Sequence, residues 1–480
     1  MLFNSYEYLI FLPLVFLCYW FVVNRNLKLQ NFFIVCASYF FYGLWDWRFL
    51  SLIIFSTLVD FSIGLLLNHE NRPSRRKLYL WTSIVVNLGF LGFFKYYNFF
   101  IDSFVDLFNL FGIQIQGSSL NIILPVGISF YTFQTLSYTI DVYKRNLEPT
   151  KDVMAFAAFV SFFPQLVAGP IERATNLLPQ FYRPRTFDYD KAKDGLRQIL
   201  WGLFKKIVIA DNCATYANII FNNSEEYSGS TLFMGAFFFA FQIYGDFSGY
   251  SDIAIGTSRL FGIDLKRNFA YPYFSRDMAE FWRRWHISLS TWFRDYLYIP
   301  LGGSKGGTRM KIRNTFAIFL VSGFWHGANW TFIVWGLLNA LYFLPLMLSG
   351  KNRKNTDLVA EGRLLPSFTE IGQMLATFSL TVLAWIFFRA NSVSHAMEYL
   401  SDIFTTKLFA VPEVFSIRAF AFILVLIGFE WFNRSKLHPL EVNEDAKATF
   451  DIKRWVLYFI LIFSIIMFNG EQQQFIYFQF

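Results

Sequence analysis

Charged residues are scarce in this sequence: Asp, Glu, Lys and Arg together make up only 16% of 480 residues. Hydrophobic residues make up 55%. Many of them form runs of roughly 15–20 residues, close to the length that crosses a bilayer as a helix. This composition excludes an intrinsically disordered chain and differs from that of an ordinary water-soluble domain. It predicts an all-α polytopic membrane protein.

Cysteine is also rare. The three cysteines are Cys18, Cys36 and Cys213, and their spacing gives neither a disulfide framework nor a cluster of metal ligands. We therefore expect no metal site. As a separate expectation, we predict no permanently bound cofactor.

Aromatic residues, by contrast, are abundant. They make up 21% of the chain and include 63 phenylalanines, which suit contact with membrane lipid. The formal net charge is +8, and the basic residues gather in short loops between apolar runs. The positive-inside rule describes this distribution, so we interpret the charge as a signal of topology and expect no nucleic-acid partner.

The apolar runs predict ten to twelve transmembrane helices. The first run begins at Tyr8 without a basic leader or a small-residue cleavage site, so we expect it to be the first span. No linker, repeat or soluble appendage is apparent, and we expect one membrane domain, 1–480, with an aromatic tail at 475–480. The predicted spans are 8–23, 31–45, 50–67, 79–94, 122–140, 196–212, 231–250, 371–390, 414–432 and 455–469.

Three stretches differ from simple spans. Residues 97–111 alternate apolar side chains with aspartates and predict an amphipathic helix on the outer surface. Two prolines interrupt 153–171, which predicts a re-entrant hairpin or a broken crossing. The stretch 314–349 predicts two short helices that meet near His326.

The basic loops indicate an orientation. Basic residues at 25–28 and 72–77 follow the first and third spans, which predicts cytoplasmic loops and an external N-terminus. The pair at 453–454 precedes the last span, so we expect the C-terminus outside as well. Counting the predicted spans from an external N-terminus also places the basic segment 263–313 on the cytoplasmic side.

His326 is the first candidate for a functional residue. It lies in the apolar stretch 319–348, where an ionisable side chain is costly unless it faces a protein interior or a hydrated cavity. A buried, neutral imidazole can take a proton from a substrate hydroxyl. Asn329 could orient the ring or polarise a carbonyl, and Trp325 and Trp330 could wall the pocket. The alternative is that these side chains only pack helices together.

A second histidine, His286, lies in the basic segment RRWHISLSTWFRDY. If this segment is helical, Trp282, His286 and Ser290 share one face. Guanidinium groups match phosphate oxygens, so the arginines here could hold a phosphorylated ligand. The alternative is an interfacial helix whose arginines meet lipid headgroups. These arginines are Arg283, Arg284 and Arg294.

Two further motifs contain glycine. LGGSKGG, from Leu301, matches neither the P-loop nor the dinucleotide fingerprint and predicts a flexible turn. In GDFSGYSDIAIG, from Gly245, we expect Asp246 and Asp252 to line a hydrated cavity or to satisfy helix ends.

The sequence finishes with FIYFQF, which includes Tyr477. One interpretation is an aromatic belt at the outer membrane interface. The other is that Tyr477 carries an acyl group, because a phenol has a lower pKa than a sugar hydroxyl and is the better leaving group.

Five motifs together resemble the membrane-bound O-acyltransferase family, in particular its bacterial branch. The motifs are PVGISFYTFQTLSYTIDVY (Pro125–Tyr143), FFPQLVAGPIER (Phe162–Arg173), DFSGYSDIAIG (Asp246–Gly256), FWRRWHISLSTWFRDYLYIPLGG (Phe281–Gly303) and FLVSGFWHGANW (Phe319–Trp330). The resemblance runs over most of the chain and implies a many-helix fold with funnels from both faces. His326 matches the family's active-site histidine, and His286 matches its second, polar histidine.

The same resemblance implies a function. The bacterial branch contains the membrane subunits of alginate and peptidoglycan O-acetyltransferases and the teichoic-acid D-alanyl transferase. A member would take acetyl from cytoplasmic acetyl-CoA and deliver it across the bacterial inner membrane to a polysaccharide, through a separate extracytoplasmic serine esterase-like subunit. Tyr477 would be the acyl relay. His286, the three arginines and Asn329 would lie on the donor side.

Two alternatives stay open. A transporter or flippase would use the histidines to gate protons and would need acidic relays such as Asp60 and Asp246, although no inverted repeat of discontinuous helices is evident. Within the enzyme class, the product could be D-alanyl teichoic acid, an acylated secreted protein or an acylated lipid.

Overall fold

The structure, a computed structural model, describes residues 1–115, 117, 119–405, 407–442, 451–471 and 473–476. Within these residues the chain is helical and contains no β-strand, which confirms the predicted all-α class. The chain divides into two compact units. They are Met1–Asp188 with Ser258–Leu265, and Tyr189–Thr257 with Lys266–Phe480. The single membrane domain expected over 1–480 stays a prediction.

The first unit consists mainly of apolar helices, several of them joined by short turns. A 3₁₀ turn joins α2 to α3, and π-helical turns extend α1 and α4. Among the described residues, its α-helices are α1 (Tyr6–Leu17), α2 (Leu27–Asp46), α3 (Leu50–His69), α4 (Pro73–Leu91), α5 (Tyr97–Leu110), α6 (Ile128–Tyr143), α7 (Val153–Ser161), α8 (Phe163–Leu166) and α9 (Ala174–Leu177).

The second unit contains every described residue of the candidate site. A π-helical segment, Phe204–Ala210, joins its first two helices, and another, Arg294–Tyr298, follows α14. Among the described residues, its α-helices are α10 (Tyr189–Leu203), α11 (Asp211–Asn222), α12 (Gly229–Leu260), α13 (Met278–Arg284), α14 (Ile287–Phe293), α15 (Gly307–His326), α16 (Trp330–Leu348), α17 (Phe368–Arg389), α18 (Val393–Thr405), α19 (Ile417–Phe432) and α20 (Ile452–Met467).

Short polar side chains begin several helices where the sequence changes from loop to apolar run. Asn26 accepts hydrogen bonds from two backbone N–H groups of α2, and Asp152 does the same for α7. Ser367 and Glu370 form a reciprocal capping box at the start of α17. Each cap satisfies N–H groups that have no partner inside the helix, and a cap typically stabilises a helix by about 1 kcal/mol.

Several helices are suited to a membrane. Within the described residues, four stretches are long and apolar enough to cross one: Leu27–His69, Pro73–Leu110, Trp330–Leu348 and Phe368–Arg389. The shorter apolar helix Tyr6–Val22 precedes them. The predicted ten to twelve crossings exceed this number because many apolar runs form helices that are short or interrupted. The larger number stays a prediction.

The three unusual stretches form helices and helix breaks where these were predicted, but α15 and α16 have 20 and 19 residues and are longer than the two short helices expected. Whether 153–171 is re-entrant stays a prediction. The stretch 314–349 forms parts of α15 and α16, which meet next to His326. The helix in 153–171 breaks before Pro164, between α7 and α8. The helix α5 covers almost all of 97–111 and has no buried residue, as expected for a surface helix.

Asp60 is buried in the first unit and is surrounded by neutral hydrogen-bond donors. Asn87 Nδ2 and Thr139 Oγ1 each donate over 2.8 Å, and the Ser83 hydroxyl also donates. These bonds tie α3, α4 and α6 together as a satisfied polar network. The arrangement therefore gives no support to Asp60 as the proton relay of a transporter.

Candidate active site

His326 is held at the end of a tightly packed helical hairpin. It is the last residue of α15. A methyl group placed on Gly323 would lie 2.2 Å from the carbonyl oxygen of Phe332, and one on Gly336 would lie 2.3 Å from that of Phe319. Only glycine allows backbones to approach so closely. The contact between α15 and α16 therefore fixes the backbone from which the imidazole extends.

Aromatic rings surround the His326 imidazole, which is 3% exposed. The ring centroids of Trp325, Trp335 and Phe388 lie 4.9, 5.0 and 5.3 Å away. Trp325 thus occupies the position expected from the sequence. Trp330 is 55% exposed, and its expected place in the pocket wall stays a prediction. Such packing fits a functional and a structural histidine equally, so the distinction depends on what can approach the ring.

Asn329 begins the next helix. Its Oδ1 accepts a hydrogen bond from the backbone N–H of Thr331 over 3.0 Å, and its Nδ2 donates to the carbonyl oxygen of Asn391 over 2.9 Å. The side chain is thereby engaged as the N-cap of α16. Its expected contact with a donor ligand stays a prediction.

His286 lies at a break between two helices. α13 ends two residues before it and α14 starts directly after it, so the helical face expected to contain Trp282, His286 and Ser290 does not form. The His286 backbone is left-handed, with φ of 43°. A residue other than glycine rarely adopts this conformation, which costs about 1–3 kcal/mol and is often found at functional sites.

Asn268 stabilises this break and fixes the protonation of the His286 ring. Asn268 Oδ1 accepts hydrogen bonds from the Ser288 backbone N–H over 3.2 Å and from the Ser288 hydroxyl over 2.9 Å. Because a backbone N–H can only donate, the oxygen of the amide must face it. His286 Nδ1 lies 3.1 Å from the same oxygen, so Nδ1 carries the proton. Nε2 is then the unprotonated nitrogen of the neutral ring.

Burial keeps this ring neutral. The His286 side chain is 1% exposed, and removal from water lowers its pKa to about 3. Asn268 could not be selected from the sequence, because its role depends on a contact between residues 18 positions apart.

One indole contacts both histidines. The Trp325 centroid lies 6.1 Å from that of His286 and 4.9 Å from that of His326. Both distances are within the range of direct aromatic contact. The structure therefore brings the two predicted histidines to one aromatic ring.

A cavity of about 720 Å³ runs along the helix that carries His326. α15 lines it with Lys311, Thr315, Phe319 and Ser322, which share one face at helical spacing. His326 is the next position on that face, four residues and about 6 Å of helix axis beyond Ser322. The cavity lining ends at Ser322, one turn before the imidazole.

The cavity carries positive charge and no acidic side chain among its described lining residues. Guanidinium and ammonium groups are the usual protein partners of phosphate. The cations that line it are Arg283, Arg294, Lys311 and Arg353. The site therefore suits an anionic ligand.

The deeper cavity wall is aromatic. Trp282 and Phe319 line it with ring centroids 5.4 Å apart. The Trp282 ring also lies 5.8 Å from Trp335, which contacts His326. Trp282 and Trp335 thus form the layer between the cavity and the imidazole.

The three predicted arginines have different surroundings. Arg283 and Arg294 line the cavity, and burial lowers the pKa of the Arg283 guanidinium. Arg284 instead forms an ion pair with Glu280 over 2.8 Å and donates to the carbonyl oxygen of Ala270. It is not among the residues that line the cavity, and its expected contact with a donor stays a prediction.

Lys311 and Arg353 were not singled out from the sequence. Both lie in clusters of basic residues next to apolar helices, which the positive-inside rule already explains. Their position in the cavity is set by the packing of α15 against α16, which the local sequence does not specify.

Asp246 and Asp252 pair with two buried lysines that the sequence analysis did not single out. Lys206 Nζ lies 2.7 Å from Asp246 and 2.9 Å from Asp211, and Lys205 Nζ lies 2.6 Å from Asp252. Adjacent lysines within an apolar run were the available signal. The ion pair with Lys206 occupies the Asp246 carboxylate. This arrangement gives no support to Asp246 as the proton relay of a transporter.

Tyr477 lies outside the described residues. The preceding segment, Gln473–Ile476, is described, and Phe475 and Ile476 are each 1% exposed. An aromatic belt facing the membrane interface therefore does not describe these two residues.

Comparison with known proteins identifies the relatives of this chain. Residues 145–378 match the model of the membrane-bound O-acyltransferase family. The probable alginate O-acetylase of Pseudomonas aeruginosa is 39% identical over 86% of this chain and 77% of its own length. The peptidoglycan O-acetyltransferase of Helicobacter pylori is 36% identical over 83% of this chain and 79% of its own. The teichoic acid D-alanyltransferase of Bacillus subtilis is 27% identical over 57% of this chain and 71% of its own length.

The apolar helices and the similarity define a multi-pass membrane protein that catalyses O-acyl transfer. The chain belongs to the membrane-bound O-acyltransferase family. An acyl donor is therefore a substrate of the protein.

Proposed function

We propose that this protein is an O-acetyltransferase that takes acetyl from cytoplasmic acetyl-CoA and delivers it across the membrane to an extracytoplasmic polysaccharide. Alginate and peptidoglycan are the candidate acceptors because proteins named for their O-acetylation are 36–39% identical to this chain. A D-alanyl group and a teichoic acid form the second candidate pair, supported by a relative of 27% identity.

The observation that carries the proposal is the cavity beside α15. Its basic residues suit the phosphates of CoA, and its apolar lining suits the uncharged arm that ends in the thioester. Its volume of about 720 Å³ is that of a typical ligand pocket. A donor bound with its phosphates near Lys311 would extend along the α15 face toward His326.

His326 acts as the general base in this mechanism. The acceptor hydroxyl loses its proton to the imidazole while its oxygen forms a bond to the thioester carbonyl carbon. The carbon–sulfur bond then breaks, and the CoA thiolate takes the proton from the imidazolium and leaves as a thiol. The products are an oxygen ester and free CoA, with no net change in protons.

Tyr477 is the proposed first acceptor. Its phenol oxygen would take the acetyl group from CoA, and a later attack by a second hydroxyl would release the phenol. A separate extracytoplasmic serine esterase-like subunit would receive acetyl from Tyr477 and pass it to the polysaccharide. The protein would lie in the bacterial inner membrane, with both termini outside and segment 263–313 facing the cytoplasm.

His286 and the cavity arginines belong to the donor side of this scheme. His286 shares the Trp325 ring with His326, and its neutral form avoids adding a charge to the apolar interior. Arg283 and Arg294 contribute to the positive cavity lining. Arg284 and Asn329 would act through the structure that they hold together.

The release of free CoA from acetyl-CoA by purified protein tests the proposal. His326→Ala should lower the rate by about 10²–10⁴-fold, the usual contribution of a general base. His69→Ala, at an exposed position in the first unit, should retain activity. A folded His326→Ala protein with full activity would remove His326 from the mechanism.

The acceptor requires a second measurement. Acetyl esters should disappear from alginate or from peptidoglycan in a deletion strain, and the one that disappears identifies the acceptor. Loss of D-alanyl esters with intact acetyl esters would favour the second candidate pair. Peptide mapping after turnover should find acetyl on Tyr477, and unmodified Tyr477 under turnover would exclude the relay.

A further inference from the structure

Two helical segments of the second unit cross with their backbones in contact. A methyl group on Gly202 would lie 2.6 Å from the carbonyl oxygen of Gly249, and one on Gly249 would lie 2.8 Å from that of Gly202. This approach brings the π-helical segment Phe204–Ala210 beside α12. It is why Lys206 meets Asp246, although they are distant in sequence.

The resulting cluster has one lysine and two carboxylates. Lys206, Asp211 and Asp246 are buried, with 6%, 1% and 2% of their surfaces exposed. Two buried carboxylates need more hydrogen-bond donors than one ammonium group can supply. The cluster is therefore suited to bind a segment that presents polar backbone groups.

The chain's own segment Gln473–Ile476 presents such groups to the cluster. Lys206 Nζ donates to the carbonyl oxygen of Gln473 over 3.2 Å. The backbone N–H of Ile476 donates to Asp246 Oδ2 over 2.7 Å. Hydrogen bonds to charged groups are stronger than neutral ones, and these two hold the segment at both of its ends.

The aromatic side chain of this segment points into the same unit. The Phe475 ring lies 4.8 Å from Tyr250 and 5.9 Å from Phe247. The Phe247 ring in turn lies 4.6 Å from His286. The segment that directly precedes Tyr477 is therefore anchored one ring away from a predicted site histidine.

We propose that Lys206, Asp211 and Asp246, together with Phe247 and Tyr250, form a docking site for the segment Gln473–Ile476, and that docking sets the position of Tyr477 for acyl transfer. The second part rests on the proposed function. The docking residues are positioning residues: they hold the segment and do not touch the donor. The site should also accept the segment as a separate peptide when the chain's own copy cannot bind.

The experiment uses the full-length protein with Ile476→Pro. This substitution removes the backbone N–H that donates to Asp246 and leaves the side chains of the docking site unchanged. A labelled peptide of residues 470–480 is added in detergent, and its binding is followed by fluorescence anisotropy after subtraction of binding to empty micelles. Acyl transfer is measured in parallel. Peptide variants rather than protein variants test the contacts, so misfolding of the protein cannot imitate a loss of binding.

Four peptides are compared: the natural sequence, Gln474→Ala, Phe475→Ala and Ile476→Pro. Gln474 is exposed between buried neighbours, so its variant is the matched control. The natural and Gln474→Ala peptides should bind alike and restore the transfer activity that the Ile476→Pro protein has lost. Phe475→Ala and Ile476→Pro peptides should bind about tenfold more weakly or worse and restore less.

Equal binding of all four peptides would overturn the docking site. Full activity of the Ile476→Pro protein, or a natural peptide that binds without restoring transfer, would overturn its positioning role. Binding needs no acyl donor, so the anisotropy ranking stands even if the unmodified protein fails to cleave acetyl-CoA. Failure of docking and failure of the proposed function are thereby distinguishable.

Discussion

The side-chain oxygen of Asn268 lies 3.1 Å from Nδ1 of His286 and determines which ring nitrogen carries the proton. The same oxygen accepts two hydrogen bonds from Ser288 at the start of α14. One amide thus supports a strained backbone, a helix start and a histidine tautomer. In many functional sites, the hydrogen bond to one ring nitrogen of a histidine determines the tautomer and the orientation of the ring.

Asn268→Ala should therefore destabilise the protein. Each buried donor left without an acceptor costs about 1–3 kcal/mol, and three donors share this oxygen. The midpoint of thermal unfolding in detergent, followed by intrinsic fluorescence, should fall clearly. Asn223→Ala, which loses one exposed hydrogen bond, should leave the midpoint nearly unchanged. Equal midpoints for both variants would contradict the role given to Asn268.

Filling the cavity should block the donor. Ser322→Trp places an indole at the last lining position before His326, and we expect a loss of transfer of about a hundredfold because the thioester can no longer reach the imidazole. Val321→Trp adds the same side chain one residue earlier, where 42% of the surface is exposed, and should remain active. Acetyl-CoA turnover by both proteins checks this, and similar rates would show that the donor takes another path.

The cations of the cavity should act on donor affinity. Lys311→Ala combined with Arg353→Ala should raise the KM for acetyl-CoA by about tenfold or more, because hydrogen bonds to charged groups are among the stronger ones. kcat should change little, since these side chains lie far from His326 along the cavity. Arg309→Ala, on the same helix but outside the cavity lining, is the control. A double variant with an unchanged KM would exclude a phosphate contact at this position.

The close crossing of α15 and α16 should tolerate no side chain at Gly336. A methyl group there would lie 2.3 Å from the Phe319 carbonyl oxygen, so Gly336→Ala should separate the helices and lower the unfolding midpoint. Gly428→Ala on α19 meets no atom within 4 Å and should be neutral or stabilising by up to about 1 kcal/mol. Matching midpoints for the two variants would show that the hairpin is more plastic than its packing indicates.

Local sequence was sufficient to predict the helical class and the position of His326. The apolar run around His326 contains a helix break with its own capping residue, and both signals are encoded within a few positions. The break at His286 was not predictable in this way, because the acceptor that stabilises it is Asn268 on another segment. The ion pairs of Lys206 likewise depend on a helix crossing between residues far apart in sequence.

Polar side chains near His326 also differ in whether local sequence or helix packing determines their role. Asn329 is close in sequence and caps α16, and its expected contact with a donor stays a prediction. Ser322 is one helical turn away and lines the cavity, although sequence alone did not single it out. Which side chains face a cavity is decided by how whole helices pack, whereas capping is decided locally.

The proposed reaction requires an acyl donor bound in the α15 cavity to reach His326. A cryo-electron microscopy structure with a non-cleavable thioether analogue of acetyl-CoA would show whether it does. We expect phosphates within about 4 Å of Lys311 or Arg353, the usual ion-pair distance, and the acetyl end beside the His326 imidazole. An analogue bound elsewhere, or one whose acetyl end stays behind an intact Trp282–Trp335 layer, would exclude this cavity as the path of the donor.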